Sequence, residues 1–116
     1  MESTLETGKV LNIPDDTEEA SDFIISLFDK HSIEPARKHA EIIENKCCAV
    51  GVISRELGNE RGGSGRCSTN FSPQFTYGLM FGFDGVDKPQ CHDVDFDDGF
   101  KLGKRTSEKL IEQGRM

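Results

Sequence analysis

Phe75-Thr76-Tyr77-Gly78-Leu79-Met80-Phe81-Gly82 and, 21 residues later, Phe96-Asp97-Asp98-Gly99-Phe100-Lys101-Leu102-Gly103 are one phrase written twice. Each begins with an aromatic residue, places glycine at plus three and plus seven, and fills plus four and plus six with apolar side chains. On a helix, residues four apart share a face, and a glycine pair on that face lets a second backbone come close. The first copy also alternates, setting Phe75, Tyr77, Leu79, Phe81 and Phe83 against Thr76, Gly78, Met80 and Gly82, which is a strand signal. Two features favour the helix. Ser72-Pro73 supplies a cap and first turn. The second copy has Asp93, Asp95, Asp97 and Asp98 around its start and Lys101, Lys104, Arg105 and Lys109 toward its end, as a helix dipole prefers.

The reading is therefore two glycine-faced helices, with residues 74–83 as a strand in an α+β fold as the alternative. Gly78 and Gly82 are expected to lie against Gly99 and Gly103 in an antiparallel pair, turned by the linker 84–89. Four glycines weaken the helices by about 1 kcal/mol each, so tertiary or intersubunit packing must offset the loss. Gly114 supplies the stop after a helix ending near Gln113.

Upstream, Asp16 can cap a helix with Glu19 three residues on, and Ala20, Phe23, Ile24, Leu27 and Phe28 recur as one buried stripe. Ser32 is then a candidate cap for a second helix with Pro35 in its first turn. Ala36, Ala40, Ile43, Cys47, Val50 and Leu57 form a heptad-like seam, so this helix is expected to run from about 34 to 57 with Gly51 as a bend or close contact. Residues 1–14 read as a flexible N-terminal arm and 15–116 as a single compact domain. The fold class expected is all-α, a small bundle of about four helices with a glycine-rich loop between the second and third.

Composition limits the function. The net charge is −7, which argues against direct nucleic-acid binding, because phosphate neutralisation needs a basic face. No stretch reaches the apolar length of a membrane span, and the N-terminus lacks the pattern of a signal peptide, so no membrane role and a cytoplasmic location are expected. Four cysteines with two adjacent, and no export signal, read as reduced thiols.

The glycine-rich segment from Gly58 to Asn70 is long for a connector and holds Arg61 and Arg66 in an acidic chain. Arg61, Gly62, Gly63, Ser64 and Arg66 are the candidate ligand-binding residues, for a phosphate-bearing or nucleotide-like anion held by backbone N–H groups and guanidinium. No Gly-Lys-Ser/Thr ends the segment, so it is not a Walker loop. Cys47, Cys48, Cys67, Cys91 and His92 have ligand chemistry suited to zinc, but no C-x-x-C spacing, and Cys47 and Cys48 on one helix would diverge by about 100°.

The aspartates at 93–98 lack the glycine position and the late glutamate of a calcium loop. No catalytic residue, metal or cofactor is assigned. The leading expectation is a small acidic intracellular interaction protein that binds and masks a protein partner, in the manner of an accessory or mobile-element inhibitor, and that can form a homo-oligomer. The alternatives are an anion-binding protein using the 58–70 loop and a zinc or thiol-chemistry protein.

Overall fold

The computed structural model describes residues 2–4, 10–63, 72–88 and 93–116. Strands Glu2–Thr4 (β1) and Val10–Asn12 (β2) pair antiparallel within the segment read as an arm, and Ile13 beyond them is buried. Helix Thr17–His31 (α1) follows. A short parallel pairing joins Glu34–Pro35 (β3) to Lys46–Cys47 (β4), and helices Ala49–Glu56 (α2), Pro73–Asp84 (α3) and Val94–Glu112 (α4) complete the described elements. The chain is mostly helical, and residues 74–83 are helix.

Local chemistry sets the helix ends. Asp16 Oδ1 accepts from Glu19 N at 3.0 Å, Ser72 Oγ from Phe75 N at 3.2 Å and Asp93 Oδ1 from Phe96 N at 3.0 Å. Each satisfies an N–H that the first helical turn leaves without a partner. Gly85 (φ 75°) and Gly114 (φ 72°) take the left-handed conformation that stops α3 and α4.

The expected helix over 34–57 is corrected to α2, Ala49–Glu56. Ser32, read as its cap, is instead the left-handed C-cap of α1, with φ 53°. Glu44 and Asn45 are both left-handed and make a tight turn in which Ile43 and Lys46 exchange two 3.0 Å backbone hydrogen bonds. Asn45 Nδ2 also donates to Ser32 O at 2.7 Å, fixing the turn to the end of α1. Cys47, Cys48, Ala49 and Val50 are consecutively buried, a segment plunging into the core where an amphipathic stripe would alternate. Gly51 does mark a close approach: a Cβ there would collide with Ala40 O and Cys47.

The antiparallel pairing of the glycine helices is also corrected. A Cβ on Gly78 would strike Phe96 O and Phe100 N, and one on Gly82 would strike Phe100 O and Lys104 N. Reciprocally, Gly99 faces Phe75 O and Leu79 N, and Gly103 faces Leu79 O and Phe83 N. Contacts on both helices therefore advance in the same direction, so α3 and α4 run parallel, with Ser72 Oγ 3.2 Å from Asp95 Oδ2 at their shared N-terminal end. The two copies of the phrase are related by a local twofold along the pair.

One face of this pair is the floor of the core. Phe75, Leu79 and Phe83 from α3 and Leu102 and Leu110 from α4 join Ile24, Leu27 and Phe28 of α1 and Val50, Val52 and Ile53 of α2. Phe28 stacks on Phe83 with centroids 6.3 Å apart. At the rim Glu18 of α1 is held by Arg105 Nε, at 2.9 and 3.0 Å from its two oxygens, and by Lys109 at 2.6 Å, while Lys109 also reaches Asp22 at 2.9 Å.

Hydrogen bonding from Lys109, then from Arg105, holds the Glu18 carboxyl below its ordinary value of 4.5. A depressed folded-state pKa adds stability that is present above the unfolded value and lost as pH falls through the folded one. Stability should therefore fall as the pH drops through and below the ordinary glutamate value, and Glu18→Gln should flatten that acid-side slope in urea melts.

Candidate interaction surface

The twofold gives the α3–α4 pair two chemically related faces. The phrase matches Phe75 with Phe96, Leu79 with Phe100, Phe81 with Leu102 and Phe83 with Lys104. Phe75, Leu79 and Leu102 point into the core, so their mates Phe96, Phe100 and Phe81 point the other way. There they form a second cluster: Phe81 meets Phe96 edge-on at 6.0 Å, and Phe96 stacks on Phe100 at 6.2 Å.

This outer cluster is incompletely covered. Phe96 and Phe100 are 4% and 8% exposed, but Phe81 is 38% exposed and Tyr77, one turn before it on α3, is 52% exposed. Beside them lies a cavity of about 220 Å³ lined by Gly82, Gly85, Val86, Asp87, Lys88, Phe100 and Lys104. Lys88 Nζ stands 2.7 Å from Asp97 Oδ1, an ion pair that partners an otherwise unbonded buried oxygen. Lys104 is exposed and makes no ion pair among the described residues. The surface thus offers a ledge of exposed rings, a small hollow with an aromatic floor, and on its rim a cation with no ion-pair partner among the described residues. Rings of this kind supply large contact area at low entropic cost, as protein interfaces use them.

The residues singled out in the sequence fall elsewhere or outside the described residues. The Arg61 side chain is exposed, and residues 61–63 are pinned to the 40–42 segment by Ile42 N donating to Arg61 O at 2.8 Å and Gly63 N donating to Ala40 O at 2.7 Å. Gly62 N donates to Asn59 O at 3.0 Å, so both glycine N–H groups are occupied by main-chain carbonyls. Ser64 and Arg66 lie outside the described residues, as do Cys67, Cys91 and His92. Gly78, Gly82, Gly99 and Gly103 are brought together as the seam of the helix pair.

Cys47 and Cys48 do not share a helix: one ends β4 and the other precedes α2. Both are buried free thiols. Burial pushes Cys47 up to about 12 and Cys48 up to about 11, which keeps them protonated and poor as nucleophiles.

Two other polar features lie away from this surface. Glu56, buried at the C-terminal end of α2, receives Lys30 Nζ at 2.9 Å and His31 Nε2 at 2.8 Å from the last turn of α1. The Lys30 ammonium offsets a carboxylate placed where the helix dipole disfavours it, and the His31 ring adds a hydrogen bond to the same group. A cavity of about 320 Å³ opens between the start of α1 and Asp98, Lys101 and Leu102 of α4. Among the described residues, no group of three or more His, Cys, Asp or Glu side chains could hold a metal ion, and no helix is long and apolar enough to cross a membrane. Comparison with protein-family models, curated proteins and solved structures finds no match to this chain.

The sequence reading missed Tyr77, Phe81, Phe96, Phe100 and Lys104 as a surface. The repeat held a signal that only the direction of the pair releases: once both copies are helical and run parallel, plus six in one copy falls on the face opposite plus six in the other, so Phe81 and Leu102 cannot both be core.

Proposed function

We propose that this chain is a small acidic protein-binding module that docks a partner protein on the outer face of α3 and α4 and acts by covering it. One observation carries the reading: Tyr77 and Phe81 hold their rings in solvent beside the hollow over Phe100, on a face whose twin is a packed core. Apolar rings exposed together, next to a hollow and rimmed by polar groups, are the usual character of a docking patch. The net charge of −7 adds to this, since it disfavours nucleic acid and leaves protein surfaces as the natural target.

The test is affinity capture by the tagged full chain and two variants. Wild type and Ile43→Glu, a change at an exposed residue of the 43–46 turn, which lines neither the ring cluster nor the hollow, are expected to retain one stoichiometric partner that Phe81→Glu loses. A second copy of the chain counts as such a partner. Equal recovery by Phe81→Glu, or no partner with wild type, would overturn the reading.

A further inference from the structure

Resting on that docking reading, we infer that the occupant of the outer face is an acidic amphipathic helix, seated over Phe100 and Lys104 as α1 is seated over the twin face. The local twofold supplies the argument. On the core side, Leu79 and Phe83 beside Gly103 are covered by the core that α1 and α2 supply, and the Phe28 ring of α1 stacks on Phe83. The twofold carries those three residues onto Phe100, Lys104 and Gly82, and these line the outer cavity of about 220 Å³. The same backbone seam and matching positions thus form a receptacle for a helix-borne apolar side chain, filled on one side and open on the other.

Charge narrows the class. On the core side α1 brings Glu18 and Asp22 to Arg105 and Lys109 of α4. On the outer side the positions matching Arg105 and Lys109 are Asp84, which accepts from Lys38 N at 2.7 Å, and Lys88, committed to Asp97, with Asp87 on the same rim; the open charge there is Lys104, which replaces Phe83 and has no ion-pair partner among the described residues. A helix presenting one large apolar residue, with a carboxylate one turn away on the same face, satisfies both the cavity and Lys104. A basic helix would leave Lys104 facing like charge. The arrangement is a helix-in-groove contact read through i and i+4 anchors.

The chain contains its own probe. A fluorescein-labelled peptide of residues 15–32, which carries the α1 stripe and acids, is titrated with the intact full chain and followed by anisotropy, with a scrambled peptide of equal composition as control. Saturable binding is expected for the native order only, weakened about tenfold or more by Lys104→Glu and by Phe81→Glu, both at exposed positions and verified by their melting curves. Three results would overturn the inference: no saturable binding to wild type, equal binding of the scrambled peptide, or affinity unchanged in both variants, which displacement of the chain's own α1 would also give. If a captured partner is lost by Phe81→Glu while the peptide fails to bind, the docking face stands and the helical, acidic occupant does not.

Discussion

Gly78→Ala and Gly99→Ala are each expected to destabilise the protein by about 2–4 kcal/mol, although alanine is the better helix former by about 1 kcal/mol. The added methyl has nowhere to go. At Gly78 it would sit on Phe96 O and at Gly99 on Phe75 O, both main-chain atoms inside helices that cannot rotate away as a side chain would. The pair must separate, and separation lifts Leu79 and Leu102 from their contacts along the seam. Because one separation accommodates both methyl groups, the double variant should cost less than the sum of the singles, a coupling that denaturant melts would read directly. A loss of this size is a large share of the roughly 5–15 kcal/mol that holds a typical domain folded. If either single variant instead raised the urea midpoint, the gain in helix propensity would outweigh any steric cost and the close seam would be refuted.

The parts of the fold legible in the sequence are those fixed within one helical turn. Asp16, Ser72 and Asp93 each bond to a backbone N–H three residues on, and Gly114 needs only its own left-handed φ, so α1, the start of α3 and both ends of α4 could be read locally. Residues 34–48 could not. Their backbone groups are satisfied at a distance, Glu34 N by Asn45 O, Ala36 N by Cys47 O and Ile42 N by Arg61 O, and no periodicity in the segment announces those partners. Their apolar spacing fitted a helical seam only because it passed over Cys48 and Ala49, which are as buried as their neighbours.

The direction of the helix pair was hidden for a different reason. Two glycines four apart present the same ridge whichever way the partner runs, and a short linker ordinarily implies antiparallel neighbours. Here the linker 85–93 can span about 30 Å extended, more than the about 18 Å length of α3, so the chain returns to the starting end and α4 runs beside α3 in the same sense. The docking face depends on that result. It follows from the twofold, and the contrast of Lys104 with Phe83 at equivalent positions, visible in the sequence, acquires meaning only once the pair is parallel.

Phe83→Ala and Phe81→Ala, the same substitution two residues apart on α3, should differ several-fold in cost. Phe83 is fully buried and stacked on Phe28, so truncation leaves a cavity between α1 and the helix pair and should cost about 3–5 kcal/mol. Phe81 keeps 38% of its surface in water and loses chiefly an edge contact with Phe96, so its truncation should cost about 1 kcal/mol or less. Phe28→Ala combined with Phe83→Ala should fall short of the summed single costs by about 0.5–1.5 kcal/mol, the worth of the ring pair beyond its burial. The contrast also bears on function, because a ring that stabilises the fold little but occupies exposed surface is available for a partner. Urea melts of the two single variants decide between the cases: equal losses would make Phe81 a core residue, close the outer face to docking, and remove the basis for assigning it a helical occupant.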